Sequence, residues 1–417
     1  MTRPRVLLLS RMLPYPLDSG SAIRGFHLLR ALASACDVTA LCFARRKGGA
    51  LRDDDLPQRV AALRELANVE TFPVPQQHGV WRLAWDHVRS LSLSRVYTRF
   101  VYDSPALSAR IRELLRARQF DLIHVDTIAL SRFLPLLAGP PVVCAHENVE
   151  SVLLQRRAAF ERTPWRRIYL RHQSRLMTDE ERRWCGRCDL NVVVSEADRM
   201  LLQRIAPEAR IAVIPNGVDL ERFRPAESRE DGVVFVGEST WFPNRDALQY
   251  FCDEILPSIR AAGFGPPVQW VGHAEAGLRR TVLDRYGVEL TGYVPDVRPY
   301  VRDAACYVVP LRTGGGTRLK ILDAWAMGKA VVSTSIGCEG LAAENGRNIL
   351  VRDDPAGFAH AVCDVLRDAT LRRRLGVEGR RTVEQRYGWD RIGESLLTLY
   401  RSLPLEGRRP RASLAPA

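Results

Sequence analysis

The sequence predicts an α/β protein made of two doubly wound, Rossmann-like lobes that face each other across a cleft. Its 417 residues are too many for one hydrophobic core and suit two domains of about 200 residues each. Short apolar, β-branched segments alternate with helical patterns through both halves of the chain. A stretch rich in turn-forming residues separates the two halves.

Each half contains six segments with the pattern of buried parallel strands. In the first half they start at residues 5, 37, 121, 141, 190 and 210, with the sequences RVLLLS, DVTALCF, DLIHVD, PVVCAH, LNVVVS and RIAVIP. In the second half they start at residues 232, 268, 287, 305, 330 and 348, with the sequences GVVFVG, VQWVG, GVELTGY, ACYVVPL, AVVSTS and NILVRD. Because helical patterns lie between them, we expect βαβ units and one parallel sheet in each lobe.

The segment IPNGVDLERFRP, residues 214–225, has the composition of a turn and an interdomain linker. We therefore place an amino-terminal lobe at residues 1–218 and a carboxy-terminal lobe at residues 219–388. A final helix at residues 389–403 is expected to pack back on the amino-terminal lobe. Residues 404–417 lack apolar periodicity and are predicted to be disordered.

Composition restricts the class of protein. Apolar and charged residues make up 46% and 26% of the chain, as in soluble globular proteins, and no run approaches the roughly 18 apolar residues of a membrane-spanning helix. The N-terminal sequence lacks the features of a secretory signal. Nine scattered cysteines, including an isolated C-x-x-C at Cys185 and Cys188, suit buried thiols in a reducing cytoplasm rather than disulfides or a zinc site.

The net charge of +13 leaves two interpretations of the basic surface open. The densest run, residues 155–187, contains ten arginines and four acidic residues. Interleaved with these are Trp165, Ile168, Tyr169, Leu170 and Trp184. A second patch consists of Trp81, Arg82, Trp85 and Arg89. Such a run is either a solvated helix face or a basic, aromatic surface that contacts anionic membrane lipid.

The glycine-rich stretch LRTGGGTRLKILDAWAMGK, residues 311–329, is the main candidate for a ligand site. It follows a predicted strand and precedes a predicted helix with Thr317 as the expected N-cap, and ligands bind beyond the carboxyl ends of parallel strands. It matches neither the Walker A nor the G-x-G-x-x-G pattern, so neither an ATPase nor a dehydrogenase is indicated.

The first turn of that helix carries two cations, Arg318 and Lys320. Each opposes the helix dipole by about 0.3 to 1 kcal/mol unless an anion is bound there. The pattern therefore predicts a bound diphosphate, with a purely structural helix start as the alternative. Asp323 either accepts hydrogen bonds from sugar hydroxyls or pairs with Lys320.

Two other places follow predicted strands. Gly20 and Ser21 open a helix, and they either complete a phosphate cradle or form a tight turn. His146 ends the segment PVVCAH, and it either positions a substrate or is a structural histidine.

These segments, in this order, resemble the family-4 glycosyltransferases of the GT-B fold. PLRTGGGTRLKILDAWAMGKAVVST is similar to their nucleotide-sugar motif, and VIPNGVDLERF to their interdomain signature. Further similar segments are LPYPLDSGSAIRGFHLLRALA, VVSEAD, VVFVGE and RYGWDRIGESLLTLYRSL. The resemblance extends over nearly the whole chain.

The resemblance implies a retaining, hexosyltransferase-type enzyme that uses a nucleoside-diphosphate sugar, a UDP- or GDP-sugar, without a metal or other cofactor. The implied acceptor is a glycan or a lipid-linked molecule in cell-surface polysaccharide or glycolipid synthesis. The expected location is the cytoplasm, with peripheral contact at the inner face of the cell membrane.

The resemblance also implies residue roles. Arg318 and Lys320 would hold the donor phosphates and, with His146 near the reacting sugar, form the catalytic set. Asp323 would hold the ribose. The expected donor-binding residues are Gly20, Ser21, Gly237, Tyr293, Val294, Gly315, Gly316, Thr317, Arg318, Lys320 and Asp323, with Tyr293 and Val294 beside the base and Gly237 at the start of a phosphate-facing loop.

The sequence departs from the family pattern at two places. The two glutamates of the family motif are replaced here by Gly315 and Asp323, which leaves the contact to the sugar hydroxyls to backbone N–H groups. The basic pair that often follows the FVG strand is not evident in GESTWFPNRDA, which gives more weight to Arg318 and Lys320.

Two alternatives stay open at this point. A nucleotide-sugar epimerase has the same fold, although its dense acid and histidine site is not apparent here. A basic nucleic-acid-binding protein would concentrate its basic and aromatic residues on one platform, whereas these arginines run through both halves. We therefore expect no nucleic-acid partner.

Overall fold

The computed structural model describes residues 3–44, 55–75 and 79–403, and the predicted disordered segment 404–417 lies outside them. The chain divides into two compact units. The first consists of the residues up to Pro215 together with those from Ile392 onward, and the second is Asn216–Arg391. The chain thus enters the second unit inside the predicted linker, shortly before the predicted boundary after residue 218, and leaves it inside the final helix.

The described part of the first unit contains a seven-stranded sheet in the order β3-β2-β1-β4-β5-β6-β7. Every neighbouring pair is parallel. The strands are β1 Arg5–Ser10, β2 Asp37–Ala44, β3 Asn68–Pro73, β4 Leu122–Val125, β5 Val142–His146, β6 Leu190–Val193 and β7 Ile211–Val213. Strand β3 is an edge strand that the sequence pattern did not predict.

The helices of this unit flank the sheet. They are α1 Gly20–Ala35, α2 Leu56–Arg64, α3 Val80–Ser92, α4 Thr98–Val101, α5 Pro105–Ala117, the 3-10 segment Ile128–Leu136, α6 Glu150–Phe160, α7 Pro164–Cys185 and α8 Glu196–Ile205. The final helix, which we label α16, spans Trp389–Arg401. From Ile392 onward it belongs to the first unit, where Gly393 lies against Ala31 of α1 and the Tyr400 hydroxyl contacts His124 of β4.

The described part of the second unit contains a six-stranded parallel sheet in the order β10-β9-β8-β11-β12-β13. Its strands are β8 Val233–Val236, β9 Val268–Val271, β10 Val288–Gly292, β11 Cys306–Val309, β12 Val331–Ser333 and β13 Leu350–Val351. Its helices are α9 Phe242–Tyr250, the π-helical segment Phe251–Ile255, α10 Leu256–Ala261, α11 Ala276–Tyr286, α12 Arg298–Asp303, α13 Leu319–Ala326, α14 Pro355–Arg367 and α15 Ala369–Arg386.

The two sheets share one topology. Counted within its own unit, each sheet has the strand order 3-2-1-4-5-6, the first sheet with one further strand beyond it. This is the doubly wound arrangement, and the winding direction reverses between β1 and β4 and between β8 and β11. The prediction of two doubly wound α/β lobes is confirmed, and the carboxyl ends of these four strands are where ligands are expected to bind.

The apolar strands are buried because helices cover parallel sheets on both faces. The largest fully buried side chains of the second unit include Trp270, Trp325, Tyr307 and Phe235. All nine cysteines are free, and all but Cys36 are buried. Within the ranges given above, no helix is both long and apolar enough to span a bilayer.

Candidate active site

Two loops of the second unit meet at the switch point between β8 and β11. Gly237 follows β8 directly, and residues 310–318 connect β11 to α13. A Cβ atom at Gly237 would lie 2.7 Å from Lys320 Nζ and 2.6 Å from Asn244 Nδ2. Only glycine therefore lets the backbone come this close to the ammonium group. The structure brings together Gly237 and Lys320, which were predicted to bind the same phosphates.

Lys320 lies in the first turn of α13 and is largely buried. Its ammonium Nζ donates a hydrogen bond to Asn244 Oδ1 at 3.0 Å and lies 3.9 Å from the centroid of the Phe235 ring. Burial, and secondarily the nearby Arg318, hold the pKa of Lys320 well below its usual range. No carboxylate of the described residues forms an ion pair with it. A bound anion would relieve both effects, because it supplies the missing counter-charge.

Arg318 stands at a different position in the helix from the predicted one. It is the N-cap residue of α13, with φ −92° and ψ 98°, rather than a first-turn residue. Its buried guanidinium folds back on the glycine loop, where Nη1 donates to the carbonyl oxygen of Gly316 at 2.7 Å and to that of Gly315. Gly314 has φ +142°, and a side chain there would overlap the guanidinium. Arg318 therefore holds the glycine loop in place.

The prediction that Thr317 is the N-cap is wrong. The Thr317 hydroxyl accepts a hydrogen bond from Asn216 Nδ2 at 2.8 Å. It is therefore bonded to the IPNGVDLERFRP segment and does not cap the helix. Helix α13 begins at Leu319, one residue later than it would with Thr317 as the N-cap, and it ends at Ala326. Gly328, with φ +69°, follows in the left-handed region that favours glycine after a helix.

Asp323 lies one turn after Lys320 but does not pair with it in the described residues. Its carboxyl is mostly desolvated, and this burial raises its pKa to about 7; Arg222 lowers the pKa and Asp219 raises it by smaller amounts. The group is therefore divided between its neutral and charged forms near neutral pH. Such a carboxyl can both donate to and accept from ligand hydroxyls.

Asn244 is a site residue that the sequence reasoning missed. It lies in the first turn of α9, is 3% exposed, and donates from Nδ2 to the backbone oxygen of Glu238 at 2.9 Å. That bond turns its Oδ1 toward Lys320. The neighbouring Ser239 hydroxyl is buried without a hydrogen-bond partner among the described residues. Asn244 lies in the segment GESTWFPNRDA, where the basic pair of the family is not evident.

Tyr293 and Val294 follow β10, on the same carboxyl edge of the sheet. Tyr293 is 65% exposed, whereas Val294 packs against the hydrophobic core of the second unit. An exposed ring beside a packed aliphatic residue is compatible with their predicted place next to a nucleobase.

In the first unit, His146 ends β5 and is 2% exposed. Its Nε2 lies 3.1 Å from Asn191 Oδ1, and Asn191 Nδ2 donates to the backbone oxygen of Cys185 at 2.8 Å. Since the amide oxygen accepts, Nε2 carries the proton, and Nδ1 is left without a partner in the described residues. Burial lowers the pKa of His146 to about 4, against a smaller opposing effect of Asn191. The imidazole is neutral at physiological pH.

Gly20 and Ser21 begin α1, after Ser19 as N-cap. The Ser21 hydroxyl donates to Glu147 Oε2 at 2.5 Å and accepts from Arg11 Nη2 at 2.9 Å, and Arg11 also pairs with Glu147 at 2.7 Å. The sequence reasoning did not find this triad, although its members follow β1 and β5. The structure thus places Ser21 in an ion-paired cluster of the first unit.

In the ranges the structure describes, no group of three or more His, Cys, Asp or Glu side chains is arranged to hold a metal ion.

Comparison with known proteins identifies the family. A family model described as Glycosyltransferase Family 4 matches residues 19–222, and one described as Glycosyl transferases group 1 matches residues 230–368. The curated D-inositol 3-phosphate glycosyltransferase of Streptomyces avermitilis is 26% identical over 242 residues, 51% of each chain. The UDP-Gal:alpha-D-GlcNAc-diphosphoundecaprenol alpha-1,3-galactosyltransferase of Escherichia coli is 23% identical over 278 residues, 61% of this chain and 65% of the relative.

A solved structure of Anabaena HepE in complex with UDP superposes with a TM-score of 0.65 at 15% identity, covering 96% of this chain and 100% of HepE. At that identity the likeness concerns the fold. The matches with the two curated relatives span about half to two thirds of their length. Glycosyltransferase models match both halves of the chain, and the chain superposes on the HepE structure. The protein therefore belongs to the glycosyltransferases of family 4 and group 1 and has their GT-B fold.

Proposed function

We propose that this protein catalyses the retaining transfer of a hexosyl group from a UDP- or GDP-sugar to a glycan or lipid-linked acceptor. The observation that carries the proposal is the meeting of Gly237, Asn244 and Lys320 at the β8/β11 switch point. A desolvated ammonium group, next to backbone that a ligand can approach closely, is suited to bind a diphosphate. The UDP bound by HepE and the lipid-linked substrate in the name of the E. coli relative support the two substrate classes.

The chemistry follows from charge development on the leaving group. As the bond between sugar and phosphate breaks, negative charge grows on the diphosphate, and the Lys320 ammonium and the first N–H groups of α13 stabilise it. Binding of the diphosphate raises the pKa of Lys320 toward its usual range, so the ammonium stays protonated during the reaction. Arg318 contributes positive charge to the same loop while it holds the carbonyl groups of Gly315 and Gly316. With these cations in place, we propose a reaction that needs no metal.

We also propose binding residues for the other parts of the donor. We propose that Asp323 binds the ribose hydroxyls and that Tyr293 and Val294 border the base. Because Gly315 has no carboxylate, we propose that backbone N–H groups of the loop bind the hydroxyl groups of the transferred sugar.

In the retaining course that we propose, the acceptor hydroxyl attacks from the side of the leaving group, with no covalent sugar–enzyme intermediate. The departing phosphate then accepts the acceptor's proton, so no protein side chain has to act as general base. His146 is neutral because burial lowers its pKa to about 4, and it donates through Nε2 to Asn191. It is therefore suited to accept a hydrogen bond through Nδ1 and orient a substrate hydroxyl rather than to stabilise a charge.

The proposed setting is cell-surface polysaccharide or glycolipid synthesis, in the cytoplasm and at the inner face of the cell membrane. Free, buried thiols suit a reducing compartment. The acceptor named for the E. coli relative, a diphosphoundecaprenol-linked sugar, is an example of a lipid-linked acceptor.

The test is a transfer assay with a panel of labelled UDP- and GDP-sugars and glycan or lipid-linked acceptors, with the anomeric configuration of the product read by NMR. We expect acceptor-dependent consumption of a nucleotide sugar and a product with the configuration of the donor. An inverted product overturns the retaining mechanism. Conversion of the donor sugar without acceptor supports the epimerase alternative, and no turnover of any donor overturns the transferase assignment.

A further inference from the structure

Helix α3 of the first unit, Val80–Ser92, has its apolar face outward. Trp81, Trp85 and Val88 recur at helical spacing and are 89%, 59% and 51% exposed, whereas Asp86 and Ser90 on the opposite face are 0% exposed. A surface helix of a globular protein ordinarily does the reverse. An exposed apolar stripe of this kind indicates a partner that covers it.

Polar contacts fix this orientation. The buried Asp86 carboxylate accepts a hydrogen bond from Arg82 Nε at 2.9 Å and lies 3.7 Å from Arg89 Nη1. Ser90 Oγ donates to the backbone oxygen of Arg95 at 2.7 Å. Turning the helix over would break these buried bonds at a cost of roughly 1–3 kcal/mol each. It also follows that Arg82 and Arg89, which the sequence placed in an outward patch, turn inward instead.

Helix α7 is hydrogen-bonded to α3 and also exposes apolar side chains near its start. His87 Nδ1 lies 2.6 Å from the Tyr169 hydroxyl, and Gln173 Nε2 donates to Ser90 Oγ at 2.9 Å, so α3 and α7 run in the same direction. Trp165, one turn before Tyr169, therefore lies level with the turn of α3 before His87. Trp165 and the neighbouring Ile168 are 65% and 67% exposed. We call the set Trp81, Trp85, Val88, Trp165 and Ile168 the tryptophan surface.

Positive charge accompanies this surface. Arg166, Arg167 and Arg171 of α7 form no ion pair with any described residue, and the Arg166 guanidinium lies 5.0 Å from the Trp165 ring centroid. By contrast, Arg110 of α5 is paired with both Glu70 and Glu113. The cations beside the tryptophan surface are thus available to an external anion.

We propose that the tryptophan surface docks on the interface of an anionic phospholipid bilayer. Indole rings prefer the boundary between headgroups and acyl chains, and neighbouring arginines attract acidic headgroups, each by about 1 kcal/mol, or fivefold in affinity. The combination of indoles with uncompensated cations fits this chemistry. A second copy of the chain is a poorer occupant, because Arg166, Arg167 and Arg171 would face the same arginines across a twofold axis. The inference does not depend on the transfer reaction.

The experiment is vesicle flotation of the full chain with neutral phosphatidylcholine and with mixtures containing phosphatidylglycerol. We expect binding to the anionic vesicles that weakens with salt and little binding to neutral ones. The variant Trp81→Ser/Trp85→Ser should bind anionic vesicles at least tenfold more weakly. The variant Arg166→Gln/Arg167→Gln/Arg171→Gln should lose most of the preference for anionic lipid while keeping the native circular dichroism, since these side chains form no ion pairs to lose.

The matched control is Arg373→Gln/Val377→Ser, an arginine and an exposed apolar residue one turn apart on α15 of the second unit, which should bind as the wild type does. The proposal is overturned if the wild type does not float with anionic vesicles at low salt, or if the tryptophan variant floats equally well. It is also overturned if the wild type self-associates through this surface and the tryptophan variant is monomeric.

Discussion

The ammonium of Lys320 is held between an amide oxygen and an aromatic ring. Asn244 supplies the oxygen, and Phe235, stacked on Trp270 at 3.8 Å between ring centroids, supplies the ring. Both partners are neutral, so they orient the cation without neutralising it. A charged partner would compete with the donor's phosphates, and this is the physical reason for an amide at this position.

Replacing Asn244 should therefore weaken binding of a nucleoside diphosphate. In Asn244→Ala the ammonium loses its fixed direction, and we expect the Kd to rise about tenfold, as for one hydrogen bond to a charged group. Calorimetric titration measures this. Gln269→Ala is the control, since that amide makes an exposed bond to Glu289 away from the site. Equal affinity of Asn244→Ala and the wild type would show that Asn244 does not position Lys320.

Asp323→Asn should stabilise the unliganded protein in a pH-dependent way. The carboxyl has a pKa of about 7 in the folded chain because of burial, compared with about 3.9 in an unfolded one. The free energy of unfolding of the wild type is therefore lowered progressively as pH rises from about 4 to 7, and this loss of stability stays constant above pH 7. The variant should gain up to about 4 kcal/mol at pH 8 and little at pH 4.

Thermal unfolding of the wild type and Asp323→Asn between pH 4 and pH 9 tests this, with Asp284→Asn on the exposed face of α11 as control. A stability difference that does not change with pH would contradict the desolvated carboxyl. The same substitution is expected to weaken nucleotide binding, since the carboxyl is proposed to hold the ribose.

Among the elements, the glycine loop before α13 is held by the guanidinium of Arg318, the N-cap residue, whose side chain makes no capping hydrogen bond to the helix. Gly314 has φ +142° and lies against the guanidinium, which in turn holds the carbonyl groups of Gly315 and Gly316. Gly314 and Gly316 both have positive φ values, +142° and +63°, so two of the three glycines adopt backbone conformations that other residues rarely adopt.

Gly314→Ala should consequently disturb both the loop and the site. The positive φ and the overlap with Arg318 together should cost about 1–3 kcal/mol of stability, with a loss of nucleotide affinity. Gly277→Ala in α11 is the control, since its Cβ would meet no atom within 4 Å and alanine favours a helix. Chemical denaturation measures both variants. A Gly314→Ala protein as stable as the Gly277→Ala protein would contradict this account of the loop.

Buried strands were easier to predict from the sequence than exposed ones. Strands such as β1 and β11 are covered on both faces and read as continuous apolar runs, so the sequence identified them. Strand β3 has only Val69 buried and ends in proline, so its pattern was too weak to stand out. For helix α3, the sequence placed Trp81 and Trp85 at the surface, where the structure has them, but nothing in its pattern indicated that Arg82 and Arg89 would pair with the buried Asp86.

Candidate site residues could be named from the sequence where a local motif marks them. They could not be named where their place depends on contacts between loops that are distant in the sequence. Gly237 and Lys320 carry recognisable motifs. Asn244 does not, because its role depends on the packing of α9 beside α13. Thr317 was misassigned as the N-cap because its bond to Asn216 joins positions about a hundred residues apart. The roles carried over by resemblance stay predictions for every site residue, Lys320, Asp323 and His146 included.

For the whole molecule, the two ends of the chain belong to one unit. The residues from Ile392 onward complete the first unit, where Leu396 is fully buried and Tyr400 contacts His124 of β4. The last described segment is therefore part of the amino-terminal core rather than an appendage of the second unit.

Leu396→Ala should destabilise the first unit by about 2–5 kcal/mol, because it opens a cavity in a packed core. Hydrogen exchange should show lost protection in β1 and β4 and unchanged protection in β8 and β11. Thr398→Ala, on the exposed side of the same helix, serves as control. Loss of protection in the second unit instead would contradict the assignment of α16.

The central claim is that the start of α13 binds the diphosphate of a sugar nucleotide through Lys320. Calorimetric titration of the wild type, Lys320→Ala and the exposed-cation control Arg280→Ala with UDP, GDP and ADP tests it most directly. We predict that the wild type and Arg280→Ala bind at least one of them equally. Lys320→Ala should bind it about 10- to 100-fold more weakly, the loss expected for a charged hydrogen bond. If the wild type binds none of the three nucleotides, or Lys320→Ala binds as tightly as the wild type, the claim is contradicted.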